Sequence, residues 1–589
     1  MQLTATNGLD SAIGAPVRRL FALLILLAFH FVAAVSAAAQ TNNILLLIAD
    51  DLGADSFDLC NSTNTGAHLP PTPNLDKLAQ RGVLFTHFYA RPSCSQSRAC
   101  IFTGRNSFRT GVGVAISGNT NMTPVLRPTE YTLAKAFTTN APNFALASFG
   151  KWHLGAQTDI NSPLTTGGWT NFAGYYGPMV QDYFNWTKWV NGTSSVVTDY
   201  STSVQVNDAL AFIQSQGTNL WFVWLAFNAP HAPLHKPPVD LAPDYAYLPG
   251  TQPDIAANPR PYYEAMVQAL DSEIGRLLAS VPTNKTDIIF LGDNGTPVNV
   301  QQPPYKVPSV PATTNGTGHG KFTMYEGGTR TPLFITGPDV VNGGRTNESL
   351  VNEVDIFQTI QELAGINVAA TLPAGVIIDS HSLMPALKAD VLLTNDNYLL
   401  EEQFNEHTSS DGIALRNSQF KIIHFYSHTE EMYDLSNDPY EYTNLLSGAL
   451  TANAQANYNA LKLHSAPYQT LANTVNTRNL LPYPMVLGLA YSNSTFVVNE
   501  QYTRLSTNGF FPNANQPGLT ELALGGSNLN YNLILWRAPN LLTATGWSPV
   551  ATNLVTGVTN SYLLLTNSLI MDAGATASSY FYQVTPYIP

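Results

Sequence analysis

The sequence predicts an α/β fold with a large, mostly parallel or mixed sheet sandwiched by helices. Apolar, β-rich runs that stop abruptly at polar residues carry this prediction, at 43–49, 144–149, 221–227 and 287–291. Runs this apolar are typical of strands that are buried on both faces, as in a sheet covered by helices. Helical patterns at 72–79 and 262–278 lie between the runs and complete the alternation of strands and helices.

The composition limits the kind of protein. The chain has 589 residues, and at about 100–200 residues per domain it has room for more than one. Charged residues make up 11% and hydrophobic residues 44%, which excludes a disordered tail protein and a long coiled coil. A net charge of −13 without a basic stripe argues against nucleic acid as a partner, and only 3 cysteines exclude a disulfide scaffold. A large, mildly acidic globular enzyme is the class that fits.

The N-terminal segment predicts export. Arg18 and Arg19 precede an apolar run at 20–35, and the alanines at 37–39 form a small-residue cleavage site. About 20 residues are needed to span a bilayer, so this run is marginal, and its alanine-rich exit favours cleavage. We therefore predict a signal peptide at 1–39, no membrane span after its removal, and a secreted or periplasmic protein.

Shifts in composition divide the rest of the chain. We predict the catalytic α/β domain at 40–366, followed by a smaller C-terminal α+β subdomain and linker at 367–480. Short strand-like runs such as 420–425 mark the subdomain. The tail at 481–589 is almost uncharged, and Asn, Thr and Gly turns split its apolar runs. This pattern predicts an appended all-β accessory module resembling a β-sandwich.

Polar residues follow each of the predicted strands of the large sheet. Ligands of open α/β sheets bind beyond the carboxyl ends of the strands, so we expect these residues to share one edge. They are Asp50, Asp51, Lys151, His153, His231, Asp293 and Asn294. One acidic strand end means little, whereas four polar strand ends together predict a site.

The oxygen-bearing members of this set suit a metal ion. Asp50, Asp51, Asp293 and Asn294 come without a thiolate cluster, which favours a hard cation. We prefer Ca²⁺ to Mg²⁺ because calcium tolerates bidentate carboxylates and few waters. Taken alone, the acidic pair is equally a loop or helix-cap feature, and the Asp-Asn-Gly sequence is a turn.

Cys94 lies where a polar turn enters an apolar helix. The free N–H groups and the dipole of a helix N-terminus stabilise an anion. Arg98 follows one turn later and faces the same way. By itself, this cysteine would be interpreted more simply as a buried structural residue.

From about 42 to 446 the chain resembles the type I, formylglycine-dependent sulfatases, or arylsulfatases, of the alkaline phosphatase superfamily. The matching motifs occur in the family's order. They are Asp50-Asp51, Thr72-Pro73-Asn74-Leu75-Asp76, the signature from Cys94 to Thr103-Gly104-Arg105, Gly150-Lys151-Trp152-His153, Pro230-His231, Asp293-Asn294-Gly295, Lys321, Glu326-Gly327-Gly328-Thr329-Arg330 and Tyr433-Asp434-Leu435. Each motif alone is a weak signal, and the ordered set is a strong one.

The resemblance implies a site and a reaction. In the family a maturation enzyme oxidises the signature cysteine to formylglycine, whose hydrate is the nucleophile, and this position is Cys94 here. It implies that Asp50, Asp51, Asp293, Asn294 and the modified Cys94 hold the metal, usually calcium. The groups around the sulfate would be Arg98, Lys151, His153, His231 and Lys321. His231 and Lys321 would assist departure of the alcohol, and His153 would take a proton.

The expected activity is hydrolysis of a sulfate ester, and a sulfated polysaccharide or oligosaccharide is a reasonable substrate for an exported enzyme with an added β-module. Gln96 departs from the family signature, which usually has Pro or Ala there, while Arg98 and the end of the signature fit. Two alternatives stay open. One is a phosphodiesterase or phosphonate monoester hydrolase on the same site, and the other is an unmodified, non-catalytic glycan-binding homologue. If Cys94 is converted, Cys60 and Cys100 are the thiols left to form a pair.

Overall fold

The computed structural model describes residues 42–479 apart from short segments, and beyond them a set of strands. The segments left out of 42–479 are 61–67, 117–124, 157–158, 307–317, 395–396, 405–409 and 427–429. From residue 469 onward only the secondary structure is described. The predicted signal peptide at 1–39 lies outside the described residues.

A mixed sheet of 10 strands confirms the predicted fold class. Its strands are β1 (Asn43–Ala49), β2 (Val83–Tyr89), β3 (Phe144–Lys151), β4 (Phe172–Tyr175), β5 (Trp186–Val190), β6 (Thr193–Val197), β7 (Leu220–Ala226), β8 (Thr286–Gly292), β9 (Leu333–Thr336) and β10 (Arg345–Asn352). Their order across the sheet is β10-β2-β9-β8-β1-β7-β3-β4-β5-β6. The central strands β8, β1, β7, β3 and β4 are parallel, whereas β9 runs antiparallel to β8 and β2.

The parallel register brings the polar strand ends to one edge. Ile48 is paired with Ala226 on one side and with Leu291 on the other, and Gly150 is also paired with Ala226. The four strands predicted from the sequence therefore end level with one another, as expected. The prediction was accurate for β1, while β3 continues two residues beyond its predicted end.

Helices cover both faces of this sheet. The described helices up to residue 388 are α1 (Pro73–Ala79), α2 (Cys94–Thr103), α3 (Ser107–Thr110), α4 (Leu133–Asn140), α5 (Ser162–Thr165), α6 (Ser201–Gln216), α7 (Gln252–Ala257), α8 (Pro259–Ser280), α9 (Glu326–Thr329), α10 (Asp355–Leu363), α11 (Val368–Thr371) and α12 (Met384–Lys388). Leu45 and Leu47 of β1 pack into one core with α1, α6 and α8. Ile44, Leu46 and Ile48 pack into a second core with α2, α4 and α10. Alternate residues of an apolar strand thus serve both cores.

A smaller antiparallel sheet follows in the chain. Its strands are β11 (Leu399–Gln403), β12 (Gly412–Arg416), β13 (Phe420–Phe425) and β14 (Glu431–Asp434), in that order. The prediction of a strand at 420–425 is confirmed. The polar stretch that follows contains helix α13 (Ala452–Asn479), whose Ala454 and Leu461 pack against β12 and β13.

The tail contains short strands. They are β15 (Val486–Ser492), β16 (Thr495–Glu500), β17 (Arg504–Ser506), β18 (Gly509–Phe511), β19 (Glu521–Leu522), β20 (Tyr531–Ala538), β21 (Ser548–Val555), β22 (Leu563–Leu564), β23 (Leu569–Ile570) and β24 (Phe581–Tyr587). They pair into sheets of 3, 4 and 3 strands. The sandwich arrangement and the domain boundaries stay predictions. Among the described residues, no helix has the length and apolarity that a membrane crossing requires.

A buried ionic network joins the small sheet to the large one. The Nζ atom of Lys421 on β13 lies 3.3 Å from Glu326, 3.2 Å from Glu401 and 3.3 Å from Glu441. Arg416 on β12 lies 3.2 Å from Glu326 and also contacts the hydroxyl of Tyr89, the last residue of β2 in the large sheet. Burial alone would raise the pKa of Glu326, but Arg416 and Lys421 lower it to about 2. Removing one partner would leave an uncompensated buried charge, so the network fixes how the two sheets dock.

Asp287 offers a test of stability at the edge of the sheet opposite the polar strand ends. Burial and the neighbouring carboxylate of Asp339 raise the pKa of Asp287 to about 7. The folded protein thus holds a protonated carboxyl that is ionised in the unfolded chain above about pH 4. This group therefore destabilises the fold increasingly from about pH 4 up to about pH 7, and by a constant amount above that.

We expect Asp287→Asn to raise the unfolding temperature by about 2 °C at pH 8 and by less at pH 5. Thermal unfolding followed by circular dichroism at both pH values is the measurement. Asp240→Asn at an exposed position is the control and should change neither value. An equal gain in unfolding temperature at both pH values would contradict the raised pKa of Asp287.

Candidate active site

Cys94 is the first residue of α2, and the extended Ser93 precedes it. Its side chain is 1% exposed. Burial raises the pKa of the Cys94 thiol, but Lys151 and Lys321 more than compensate and lower it to about 6. The surroundings of residue 94 therefore stabilise an anion, as its place at a helix N-terminus also does.

Hydrogen bonds link the residues that follow β1 to those that follow β8. The backbone N–H of Asp51 donates to Asp293 Oδ1 at 3.1 Å, and Asn294 Nδ2 donates to Asp51 Oδ1 at 2.7 Å. Asp51 has a φ of 69°, a conformation that is rare outside glycine and is stabilised here by these bonds. Asp50, Asp51, Asp293 and Asn294 are all buried.

Each carboxylate has a cationic partner. Lys151 Nζ lies 2.6 Å from Asp50 Oδ2, and Lys321 Nζ lies 2.5 Å from Asp51 Oδ1. Arg98 donates to Asp293 Oδ2 from Nε at 3.0 Å and from Nη2 at 2.8 Å.

The pKa values of two of these carboxyls are shifted in opposite directions. Burial alone would raise the pKa of Asp51, but His231, Lys321 and Lys151 lower it to about 2. Burial and Asp50 raise the pKa of Asp293 to about 6 despite Arg98.

His153 is held in one tautomer. Its Nε2 lies 2.8 Å from the carbonyl oxygen of Ile116, which can only accept, so Nε2 carries the proton. Its Nδ1 is buried without a hydrogen-bond partner among the described residues. Burial and Lys151 hold the pKa of His153 well below its usual value. The ring is therefore neutral, and Nδ1 offers a free lone pair.

Ser95 fixes the backbone around this histidine. Its hydroxyl donates to the carbonyl of His153 at 2.8 Å and accepts from the N–H of Ile116 at 3.0 Å. The φ of His153 is 54°, which is uncommon for a residue other than glycine. Ser95 is next to Cys94 in sequence, so the residue that follows the candidate nucleophile also orients the candidate base.

The pKa of His231 is shifted in the opposite direction from that of His153. Burial lowers the pKa of His231, but Asp51, whose Oδ2 lies 3.6 Å from Nε2, raises it above its usual value. The hydroxyl of Tyr183 donates to the carbonyls of Asn228 and His231 at 2.6 and 2.8 Å and so fixes this loop. The side chain of His231 is 13% exposed, so it reaches solvent where Asp51 does not.

The residues present fit a divalent cation. One ligand atom from each of Asp50, Asp51, Cys94 and His231 can be chosen so that all lie within 4.8 Å of one another. Asp50 Oδ1 and Asn294 Oδ1 are buried without a hydrogen-bond partner among the described residues. Such oxygens are costly to bury unless an ion or water satisfies them. Carboxylate and amide oxygens are the donors that a hard cation prefers.

The structure brings the predicted site residues together around Cys94. Contacts of the kinds described above link Asp50, Asp51, Arg98, Lys151, His153, His231, Asp293, Asn294 and Lys321. His231 adjoins the candidate metal ligands, which was not predicted. Sequence reasoning also missed Ser95, Ile116 and Tyr183, because their roles depend on contacts between distant parts of the chain and leave no spacing signal.

Gln96 is accommodated in the folded protein. Its Oε1 accepts from the Ser93 hydroxyl at 2.7 Å, and its Nε2 donates to the carbonyl of Glu402 on β11 at 2.9 Å. The departure from the family signature thus makes two hydrogen bonds, one of them to the small sheet. All three cysteines lie in described residues and are free, so the suggested Cys60–Cys100 pair is not formed.

Comparison with known proteins decides the family. The family model described as Sulfatase matches residues 42–366, more than half of the chain. The chain is a sulfatase. A second model, described as N-sulphoglucosamine sulphohydrolase, C-terminal, matches residues 318–464 of this sulfatase. The predicted family and the predicted sulfuric ester hydrolase are therefore confirmed.

Two relatives with known names are also sulfatases. The sulfatase is 28% identical to human N-acetylgalactosamine-6-sulfatase over 389 residues, which cover 60% of this chain and 67% of the relative. It is 24% identical to N-acetylglucosamine-6-O-sulfatase of Bacteroides thetaiotaomicron over 513 residues, 70% of this chain and 84% of that one.

Solved structures share the fold. The PsFucS1 sulfatase from Pseudoalteromonas sp. aligns with a TM-score of 0.55 at 21% identity, covering 77% of this chain and 96% of its own. A protein solved in complex with its substrate D-glucosamine-2-N,6-O-disulfate aligns with a TM-score of 0.57 at 20% identity, covering 74% and 98%.

The Ser95 bridge predicts a loss of turnover without a matching loss of fold. We expect Ser95→Ala to lower kcat about tenfold, because the His153 backbone loses the hydroxyl that holds it. Ser97→Ala is the matched control. Its hydroxyl bonds the backbone N–H and carbonyl of Arg91, which precedes α2, so the variant should lower the unfolding temperature similarly but leave kcat unchanged. Equal kcat values for the two variants would contradict the assignment.

Proposed function

We propose that this sulfatase hydrolyses a sulfate ester on a carbohydrate, with Cys94 converted to formylglycine and a calcium ion beside it. The observation that carries the proposal is the buried arrangement of Cys94 among three ion pairs. The names of the relatives support a sugar substrate, since both act on a 6-sulfated N-acetylhexosamine. The PsFucS1 and other structural matches support only the fold.

Charge explains why an anionic ester would bind. Asp50, Asp51 and Asp293 are balanced by Arg98, Lys151 and Lys321, so a divalent cation makes the site positive. This charge lies in a buried region, where it acts more strongly than in water. When bound, calcium supplies positive charge and Lewis acidity next to residue 94, and formylglycine supplies a hydroxyl nucleophile.

The chain's own residues would divide the proton transfers. His153 would accept a proton at Nδ1, because its tautomer leaves that lone pair free. His231 would donate a proton to the departing alcohol oxygen, since Asp51 favours its charged form. Lys321 would stay charged beside it, as burial lowers its pKa but Asp51 raises it by more. Arg98 and Lys151 would hold charge at the sulfate end of the site.

The metal would be held by Asp50, Asp51, Asp293, Asn294 and residue 94. Asp50 Oδ1 and Asn294 Oδ1 support this set of metal ligands, because both oxygens are buried without a hydrogen-bond partner among the described residues. A maturation enzyme that oxidises Cys94 and export through the segment at 1–39 complete the proposal. The N-terminal arginines and apolar run support export, and their segment lies outside the described residues.

The decisive experiment uses protein co-expressed with a formylglycine-generating enzyme, after the mass of the Cys94 peptide has been measured. Sulfate released from N-acetylgalactosamine-6-sulfate and N-acetylglucosamine-6-sulfate is compared with turnover of a phosphodiester and a phosphonate monoester. We expect an aldehyde mass, sulfate release, and turnover of the phosphorus esters that is at least about tenfold slower.

Cys94→Ala should abolish turnover, because it removes the nucleophile. Cys100→Ala is the matched control, since the Cys100 thiol lies 3.7 Å from the Ser107 hydroxyl and is not among the cluster around Cys94. Faster turnover of a phosphorus ester would favour the alternative hydrolase. Sugar binding without turnover by protein carrying the aldehyde would favour the glycan-binding alternative.

Calcium binding can be tested without turnover. We expect Asn294→Ala to weaken calcium binding about tenfold or more, because it removes a ligand oxygen without changing the charge. Titration calorimetry and the calcium-dependent rise in unfolding temperature are the measurements. Asn367→Ala, at the N-cap of α11, is the control and should bind calcium normally. Unaltered binding by Asn294→Ala would overturn this ligand set.

A further inference from the structure

The accessible side of the active site differs sharply from its interior. The side chains of Arg98, Lys151, Asp50 and Asp293 are completely buried. His231 and Lys321 are 13% and 6% exposed, so they are the proposed catalytic side chains that reach toward solvent. The sulfate end of a substrate would therefore point inward, and its alcohol part would lie outward against His231 and Lys321.

An exposed aromatic side chain, Phe184, packs against the loop that carries His231. Tyr183 holds the carbonyl of His231, and its ring lies 4.2 Å from the ring of His235. Phe184 follows in sequence and packs its ring 5.6 Å from His235 and 5.1 Å from Tyr200. Phe184 is nevertheless 38% exposed. An exposed apolar ring supported from behind is a preformed contact surface.

The position of Phe184 is fixed by its own backbone. The carboxylate of Asp182 accepts from the N–H of Phe184 at 2.6 Å. This short-range bond orients the chain as it leaves Tyr183. This backbone bond and the packing of the ring against His235 and Tyr200 fix Phe184 in the free protein, so it would need little ordering when a ligand binds.

A second aromatic side chain stands beside Lys321. Phe322 is half-buried, and the Nζ atom of Lys321 lies 5.0 Å from the centre of its ring. The φ of Phe322 is 69°, which is rare for a bulky residue. The surroundings must hold this conformation, and the bond from the Phe322 N–H to the carbonyl of Pro92 at 2.8 Å does so. Strain of this kind is concentrated where a side chain must be aimed.

We infer that Phe184 and Phe322 form two walls of a leaving-group subsite that takes the apolar C–H face of a sugar ring. Phe184 packs against His235 in the loop that carries His231, and Phe322 lies beside Lys321, so each ring is linked to one of the two residues proposed to assist the departing alcohol. A pyranose has an apolar face that can cover an aromatic ring, and its hydroxyls point sideways toward water. The inference rests on the carbohydrate substrate proposed above.

The subsite predicts a separation between binding of the sugar and binding of sulfate. In protein carrying the aldehyde, we expect Phe184→Ala to raise KM for a 6-sulfated N-acetylhexosamine about tenfold, with kcat changed less than about twofold. The inhibition constant of inorganic sulfate should stay the same, because free sulfate occupies only the inner end. Phe184→Tyr should restore KM, since it keeps the ring.

Phe322→Leu tests the second wall while keeping an apolar side chain at the strained position. We expect KM for the sulfated sugar to rise about threefold. Leu463→Ala is the control, because Leu463 is 73% exposed on α13 and should affect neither constant.

The outcomes distinguish the subsite from the proposed function. A normal KM in Phe184→Ala, while the parent enzyme turns over sulfated sugars, would overturn the subsite alone. A parallel rise in the inhibition constant of sulfate would also overturn it, since the variant would then have disturbed the inner site. Absence of sugar-sulfate turnover by the parent enzyme carrying the aldehyde would overturn the proposed function and the subsite together.

Discussion

Carboxylates that are buried at the ends of parallel strands need cations beside them, and this pairing is the constraint on which the site depends. Asp50 and Asp51 follow β1, which pairs with β7 on one side and with β8 on the other. They therefore lie between the residues that follow those two strands. Lys151 reaches Asp50 from the end of β3, and Arg98 reaches Asp293 from α2. Loss of one partner from a buried pair costs about 3–5 kcal/mol, so each charge fixes the position of its neighbours.

The same requirement ties distant parts of the chain to the site. Lys321 comes from a segment far along the sequence, and it is followed by α9, whose Glu326 belongs to the ionic network around Lys421. Gln96 adds a direct bond from the first turn of α2 to β11. The small sheet therefore supports the active site, because its residues contact both the turn that carries Cys94 and the segment that carries Lys321.

The large sheet and the polar residues at its strand ends could be predicted because both leave local signals, whereas Lys321 was expected only from the resemblance to the sulfatases. An apolar run followed by an acidic or basic residue predicts a buried strand end, and parallel ends meet at one edge. The bridge from Ser95 to Ile116 and His153 could not be predicted, because a serine has no preferred partner at a given spacing. Helix α13 was not predicted for a related reason, since its packing against the small sheet is a tertiary contact that leaves no spacing signal in a polar stretch. The left-handed conformations of Asp51, His153 and Phe322 were also invisible in the sequence, because tertiary contacts impose them on residues that do not favour them.

The gradient of exposure across the site has a kinetic consequence. The side chains of Arg98, Lys151, Asp50 and Asp293 are completely buried, whereas those of His231 and Lys321 are partly exposed to solvent. A molecule cleaved there divides into an outer alcohol and an inner sulfate, and the alcohol stands between the sulfate and solvent. Products should therefore leave in a compulsory order, the alcohol first and the sulfate second. The free protein would then meet its last product and its next substrate at the same inner groups, so accumulated sulfate would slow the enzyme from within the site itself.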